Sequence, residues 1–238
     1  MKLSVVIPAY NAERHIEAVL TRVAGLVAHG LREVIVVDDG SRDATARLVK
    51  AWPAPGFDLR VIERTPNGGY GAAMKDGIAL ARTGEPDVLA CIHADGQYAP
   101  EVLPDLIAQL SERRLDLLQG SRIAAGTALR GGMPIYKYVG NALLNRLENH
   151  TLQLSLTDYH SGYLVYGRRA LGLPFGNFSD SFDFDLEVIA AARAHGLSVG
   201  EAPIPTHYGD EISHLNPLTY GMRVLRVLWN YRRGQYAP

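Results

Sequence analysis

The strongest constraint in this chain is an alternation of two patterns. Short apolar, largely β-branched runs recur at Leu3–Ile7, Glu33–Val37, Leu59–Ile62 and Val88–Ile92. Such runs, bounded by turn residues, read as buried strands. Between them lie amphipathic segments at about 12–28, 42–51, 70–82 and 100–112. Helix-start signals support two of these: Asp43 and Thr45 follow Ser41, and Glu101 follows Pro100. Repeated strand–helix–strand units need crossover connections. They predict an α/β fold with a mostly parallel sheet and helices on both faces.

The second half is less regular. Leu115–Leu118 reads as a fifth strand, and residues 120–135, rich in Gly, Ala, Thr and Arg, as a mobile surface loop. A helix is expected over 136–150, a strand at Ser161–Tyr166, a helix over 183–195 and a strand at Ser198–Ala202. The last helix, 217–232, places Leu218, Met222, Leu225 and Trp229 on one stripe, which is expected to pack on the sheet. Its Arg223, Arg226, Arg232 and Arg233 leave contact with an anionic membrane surface as the alternative. No internal repeat or linker interrupts the chain, so residues 1–238 are expected to form one domain.

Composition removes several classes of function. The formal net charge of -1 over 238 residues provides no field for non-specific nucleic-acid binding. The one cysteine, Cys91, excludes an internal disulfide framework and a cysteine-built zinc site. No stretch reaches the roughly 18 apolar residues of a membrane span. Leu3–Ile7 is cut off by Pro8 and does not make a signal peptide. A soluble, cytoplasmic protein is expected, with a peripheral position at the inner membrane face as the alternative.

In open parallel sheets, ligands bind beyond the carboxyl ends of the strands. Four polar clusters fall at such positions: Pro8-Ala9-Tyr10-Asn11 with Glu13, Asp38-Asp39-Gly40-Ser41, Pro66-Asn67-Gly68-Gly69-Tyr70-Gly71, and His93-Ala94-Asp95-Gly96-Gln97. Any one of them could be a turn or a helix cap. Four together surround one crevice with carboxylates, amides and glycines. The glycine cluster is not a dinucleotide fingerprint, because Met74 stands where the third glycine would be. Nor does Gly-Lys-Ser/Thr follow a glycine loop. The glycines read instead as close backbone approach to a nucleotide, beside the start of helix 70–82.

These blocks resemble a known family. Ser4-Val5-Val6-Ile7-Pro8-Ala9-Tyr10-Asn11-Ala12-Glu13 and Val36-Val37-Asp38-Asp39-Gly40-Ser41 are similar to the opening of the family 2 glycosyltransferases. Asn67 to Ala73, Ala94-Asp95-Gly96-Gln97 through Glu101, Gly120-Ser121-Arg122, Asp158 with Ser161-Gly162-Tyr163, Phe184 to Glu187, and Glu201 to Pro205 continue the likeness. It covers about residues 3–215. Its order and spacing most resemble the branch of dolichyl- or polyprenyl-phosphate sugar synthases. The resemblance implies the GT-A fold, a Rossmann-like nucleotide-binding sheet. Residues 1–119 would be the nucleotide-sugar half and 120–238 the acceptor half.

The resemblance also implies roles. Pro8, Tyr10, Glu13, Asp39 and Gly68 would line the nucleotide site, which takes a UDP-, GDP- or dTDP-sugar. Asp95 would bind Mg²⁺ or Mn²⁺ at the donor diphosphate, with Gln97 nearby. A hard cation with oxygen ligands suits that charge. Where the family commonly has Asp-x-Asp, this chain has His93-Ala94-Asp95. His93 is open to metal ligation, to a hydrogen bond with ribose or phosphate, or to a place aside from the metal. His207 is the late candidate ligand. Arg122 is the expected phosphate contact, with Arg130 and Lys137 in or after the loop, which could close over the donor.

Asp158 is the acceptor-side candidate. It would be a base for a hydroxyl acceptor, or a group positioning acceptor or arginine if the acceptor is a phosphate. Asp183 and Glu187 share a helix face, and two like charges there suggest a site role for Glu187. The expected reaction is an inverting, metal-dependent transfer to a polyprenyl phosphate or to a glycan hydroxyl. A sugar-1-phosphate nucleotidyltransferase would need a glycine-rich loop with Arg and Lys after the first strand, where Pro8-Ala9-Tyr10-Asn11 stands. A non-catalytic nucleotide-sugar-binding protein is the reading that His93 keeps open.

Overall fold

Apolar runs that lie on both sides of a sheet need cover on both faces, and the chain supplies it. The computed structural model describes residues 1–124, 126, 135–205 and 217–238. The strands are β1 (Leu3–Ala9), β2 (Leu31–Asp38), β3 (Asp58–Glu63), β4 (Val88–Cys91), β5 (Leu117–Ser121), β6 (Leu164–Gly167) and β7 (Val199–Pro203). The helices are α1 (Ile16–Ala24), α2 (Thr45–Ala51), α3 (Tyr70–Arg82), α4 (Leu103–Glu112), α5 (Ile135–Leu152), α6 (Phe184–Ala194) and α7 (Pro217–Arg232).

The seven strands form one sheet in the order β3-β2-β1-β4-β6-β5-β7. β6 runs antiparallel to β4 and β5, and the other pairings are parallel. Strand order runs outward from β1 to β2 and β3 on one side and resumes with β4 on the other. That reversal is where an open sheet leaves a crevice at its strand ends. Successive residues of β1 and β2 face opposite cores. Val5, Ile7, Val34 and Val36 pack with α1 and α4 through Ile16, Leu20, Leu103 and Leu106. Val6, Ile35 and Val37 pack with α3, α6 and α7 through Met74, Ile78, Ile189 and Val227.

All seven expected strands and seven expected helices occur, with three departures in detail. The first helix is shorter than 12–28: Gly25–His29 forms a 3-10 turn after α1. The chain before α1 is held instead by the β2 loop, with Asn11 at φ 50°. Ser41 does not cap α2; its Oγ accepts from the Asn11 N–H at 2.8 Å. Three of the four residues of the expected stripe of the last helix face outward, not toward the sheet; the side chain of the fourth, Leu218, is not described. Val224, Val227 and Leu228 are buried, whereas Met222, Leu225 and Trp229 are 51–64% exposed. The described part of the 120–135 loop begins with a turn in which Ser121 Oγ accepts from Ile123 N–H and Ala124 N–H, at 3.2 and 2.9 Å. The expectations for Arg130 and the closing loop lie outside the described residues, and the side chain of Lys137 is likewise not described.

Candidate active site at the carboxyl ends of the strands

The loops after β1 and β2 are stitched together. Glu13 accepts from the Ala44 N–H at 3.0 Å, and its own N–H donates to Asp43 at 3.1 Å. Thr45 Oγ1 accepts from the Ala12 N–H at 2.8 Å. Glu13 therefore ties the crevice wall to the start of α2. Pro8 is half-buried near the end of β1, and Tyr10 stands 51% exposed at the lip.

Asp39 is buried and fully used by the protein. Its Oδ1 accepts from Arg64 Nε and Gly68 N–H, both at 2.9 Å, and its Oδ2 from Gly69 N–H at 2.7 Å. These amides open α3, so the carboxylate of Asp39 occupies the positive end of that helix. Two glycines of the 66–71 block, Gly69 and Gly71, make room for chain at residues 179–180. A Cβ on Gly69 would lie 2.5 Å from the Asp180 carbonyl oxygen, and one on Gly71 2.2 Å from that of Ser179. Gly71→Ala should accordingly destabilise the protein by about 2 kcal/mol or more, since backbone must move to admit the methyl. Gly140 in α5 has open space around it. Gly140→Ala should stabilise by about 0.5–1 kcal/mol through helix propensity. Thermal unfolding of the two variants checks the opposite signs.

Beyond β4, Asp95 lies half-buried and accepts from the Gln97 N–H through Oδ1 at 3.0 Å. His93 is packed between Tyr70 and Tyr98, with ring centroids at 5.4 and 4.9 Å. Its Nε2 is sealed from solvent, makes no hydrogen bond, and abuts Gly162, where a Cβ would lie 2.2 Å away. Burial lowers the His93 pKa, with Arg122 acting in the same direction against the pull of Asp95. The imidazole is a neutral wall of the crevice, and its Nε2 is not offered to a cation. No group of three His, Cys, Asp or Glu side chains converges among the described residues. His207 lies outside them. Among the described residues, the Asp95 carboxylate and Gln97 are the groups that could meet a metal. This fits a Mg²⁺-like cation that takes its remaining ligands from phosphate oxygens and water.

The acceptor-side candidates form a buried ion pair. Asp158 is fully buried and receives Arg122 in a fork, Nε to Oδ2 at 2.7 Å and Nη2 to Oδ1 at 2.9 Å. The backbone N–H groups of Arg122 and His160 add to it at 3.2 and 3.1 Å. Burial alone would raise the Asp158 pKa, but Arg122, these hydrogen bonds and His160 hold it below the usual carboxylate range. An ionised, fully bonded carboxylate is a poor base; what it does here is hold Arg122. His160 joins this pair to α7, its Nδ1 2.9 Å from Tyr220 Oη.

Beside it lies Glu148 of α5, fully buried, with neither carboxyl oxygen hydrogen-bonded. Its Oε2 is 3.5 Å from His160 Nε2, too long for a hydrogen bond. Burial pushes Glu148 up to about 8 and His160 down to about 4, so at neutral pH neither is charged. The folded state thus holds the Glu148 proton more tightly than the unfolded chain, whose value is 4.5. That stability is fully present below the unfolded value and is lost as pH rises through about 8. Glu148→Gln should therefore gain on wild type between pH 5 and pH 8.5, by about a few kcal/mol. The difference in melting temperature across that range is the readout.

Asp183 and Glu187 do share a face, and the protein satisfies both. Asp183 accepts from Ser179 Oγ at 2.9 Å and Arg223 at 3.2 Å. Glu187 accepts from the Ser179 N–H and from Tyr236 Oη. They line a cavity of about 380 Å³ under the C-terminal tail, with Arg226 and Asn230. The carboxylate that sequence reading passed over is Asp185. It accepts from Tyr70 Oη at 2.8 Å, and its second oxygen is buried without a partner. Burial lifts it to about 7. Tyr70 in turn stacks on Phe182 at 5.9 Å, and Phe182 is 52% exposed. The available signal was an aspartate between Phe184 and Leu186, on the apolar face of α6.

The model of the family described as "Glycosyl transferase family 2" matches residues 4–172. The polyprenol monophosphomannose synthase of Mycolicibacterium smegmatis is 32% identical over 84% of this chain and 75% of its own length. The UDP-N-acetylglucosamine–dolichyl-phosphate N-acetylglucosaminyltransferase of Methanococcus voltae is 28% identical over 85% of this chain and 84% of its own. The crystal structure of glucosyl-3-phosphoglycerate synthase from Mycobacterium tuberculosis superposes with a TM-score of 0.70 at 22% identity, covering 100% of this chain and 81% of that one.

Proposed function

Because this chain belongs to glycosyl transferase family 2 and has the GT-A fold, we propose that it transfers a sugar from a nucleoside-diphosphate donor to the phosphate of a polyprenyl lipid. The observation that carries the choice of acceptor is the buried Arg122–Asp158 pair. A hydroxyl acceptor needs a base to take its proton, and the acceptor-side carboxylate is already spent on Arg122. A phosphate monoester is anionic at neutral pH and needs a cation beside it, which Arg122 is. The relatives from Methanococcus and Mycolicibacterium are named for dolichyl phosphate and for polyprenol monophosphomannose.

In this reading the donor lies across the ends of β1, β2 and β4. Tyr10 and Glu13 flank the nucleoside, and Asp39 sets the position of the 67–69 turn against it. Mg²⁺ or Mn²⁺, held by Asp95 with Gln97 nearby, would neutralise charge on the diphosphate. An oxygen of the lipid phosphate attacks the anomeric carbon from the side opposite the diphosphate. The bond from that carbon to the diphosphate oxygen breaks, and the nucleoside diphosphate leaves with the electron pair. One displacement inverts the anomeric configuration, and no proton has to move. Arg122, fixed by Asp158, orients the attacking phosphate.

Sugar-labelled UDP-, GDP- and dTDP-sugars incubated with Mn²⁺ and a polyprenyl phosphate test this. Label should enter the organic phase with one donor class, and only when the lipid phosphate is present. Label entering a water-soluble glycan instead would assign the acceptor to a hydroxyl. Release of free sugar alone, with either acceptor, would overturn transfer altogether.

A further inference from the structure

Eight large hydrophobic side chains are exposed among the described residues, and five of them sit on two helices: Leu143 and Leu147 on α5, and Met222, Leu225 and Trp229 on α7. Tyr10 and Phe182 belong to the crevice. On α7 the spacing of 222, 225 and 229 makes one outward stripe. The opposite side of the helix, Val224, Val227 and Leu228, is buried in the core. Leu143 and Leu147, four residues apart, make the matching outward stripe on α5, and α5 packs against α7.

Among the described residues, the exposed charged side chains of α5 and α7 are all basic, and one of them, Arg223, is paired with the buried Asp183. Arg146 is exposed beside the α5 stripe, and Arg223, Arg226, Arg232 and Arg233 are exposed on and after α7. Residues 217–238 contain no Asp or Glu. The one carboxyl of α5, Glu148, is fully buried and pushed up to about 8. A chain of net charge -1 has thus gathered exposed arginine and apolar surface, without an exposed carboxylate, on two packed helices. The face also adjoins the acceptor side: His160, next to Asp158, reaches Tyr220 of α7. No described helix is long and apolar enough to cross a membrane.

We propose that the outer faces of α5 and α7 together form a docking surface for an anionic lipid bilayer. Leu143, Leu147, Met222, Leu225 and Trp229 enter the interface, and the arginines meet lipid phosphates. A helix with apolar side chains on one line and arginine beside it lies in the plane of such an interface. The purpose of this surface rests on the lipid-acceptor reading, because it would bring the Arg122 side of the crevice to the lipid. Its existence does not rest on that reading.

The full chain, with Trp52→Phe so that Trp229 is the only tryptophan, is mixed with vesicles of phosphatidylglycerol or phosphatidylcholine without donor. The expected result is co-sedimentation and a blue-shifted Trp229 emission with phosphatidylglycerol, weakened at least tenfold in 0.5 M salt. Met222→Asp with Leu225→Asp should abolish binding, and Arg146→Gln with Arg232→Gln and Arg233→Gln should weaken it about tenfold or more. These positions are exposed, and an unchanged melting temperature confirms that each variant is folded. Equal binding to both lipids, or binding that survives the aspartates, would overturn the proposal. So would no binding accompanied by concentration-dependent self-association that the aspartates abolish, which would assign the face to a second copy. Transfer to a short-chain, water-soluble prenyl phosphate separates the two readings. Vesicle binding without transfer sinks the acceptor reading alone. Transfer without vesicle binding sinks the docking surface alone.

Discussion

Asp95→Ala is expected to lower kcat/KM for sugar transfer by about a thousandfold or more while leaving the fold intact. Within the protein, Asp95 accepts one backbone hydrogen bond, from Gln97. Losing it affects a turn and costs about 1 kcal/mol of stability at most. Losing a carboxylate that holds a cation at a diphosphate leaving group removes several kcal/mol of charge stabilisation. Each 1.36 kcal/mol is about tenfold in rate, so about a thousandfold is the modest end. Asp39→Ala provides the contrast. It orphans Gly68 N–H and Gly69 N–H and removes one of the partners of Arg64, so its main effect should be unfolding. A stable, inactive Asp95 variant beside an unstable Asp39 variant would separate ligand chemistry from scaffold. An Asp95→Ala enzyme with wild-type turnover would remove the metal from the account.

Asp158→Asn should cost both stability and transfer. The substitution keeps shape but removes the charge facing Arg122, which is itself largely buried. Breaking one side of a buried ion pair costs about 3–5 kcal/mol, much of it the penalty on the charge left behind. Arg122→Met combined with Asp158→Leu should recover much of that stability, because no uncompensated charge remains. Transfer to the lipid phosphate should not recover. It should stay about a hundredfold or more below wild type, since the cation that meets the acceptor is gone. Arg122→Lys tests geometry separately. A lysine keeps the charge and loses the fork, so stability should fall less than kcat. If the double variant regained full transfer, the pair would be structural alone.

The legible part of this molecule was the part governed by local pattern. Strands buried on both faces advertise themselves as apolar runs such as Val34–Val37, and the crevice follows from strand ends. The blocks at Asp39 and Asp95 could be placed beside that crevice from the sequence. What each side chain does there could not, because a carboxylate after a strand has the same letters whether it meets ligand or backbone. Asp39 turns out to fill the amino end of α3, and Gly69 and Gly71 make room for residues 179–180. Those neighbours are more than a hundred residues away, beyond any spacing rule. The stripe of α7 failed for a related reason. Both sides of that helix carry apolar residues, so periodicity alone did not say which side was covered. Asp185 lies within the Phe184–Glu187 block, but no spacing rule joins it to its partner Tyr70, more than a hundred residues away.

The strand-end crevice is proposed as a nucleotide site organised around Asp95. Calorimetric titration of the wild-type protein with UDP, GDP and dTDP, each with and without Mn²⁺, measures this directly. One nucleoside diphosphate should bind with Mn²⁺ at least tenfold more tightly than without it, and Asp95→Ala should abolish that difference while the protein remains folded. Binding of none of the three, or a Mn²⁺ effect that persists in the Asp95→Ala protein, would contradict the account.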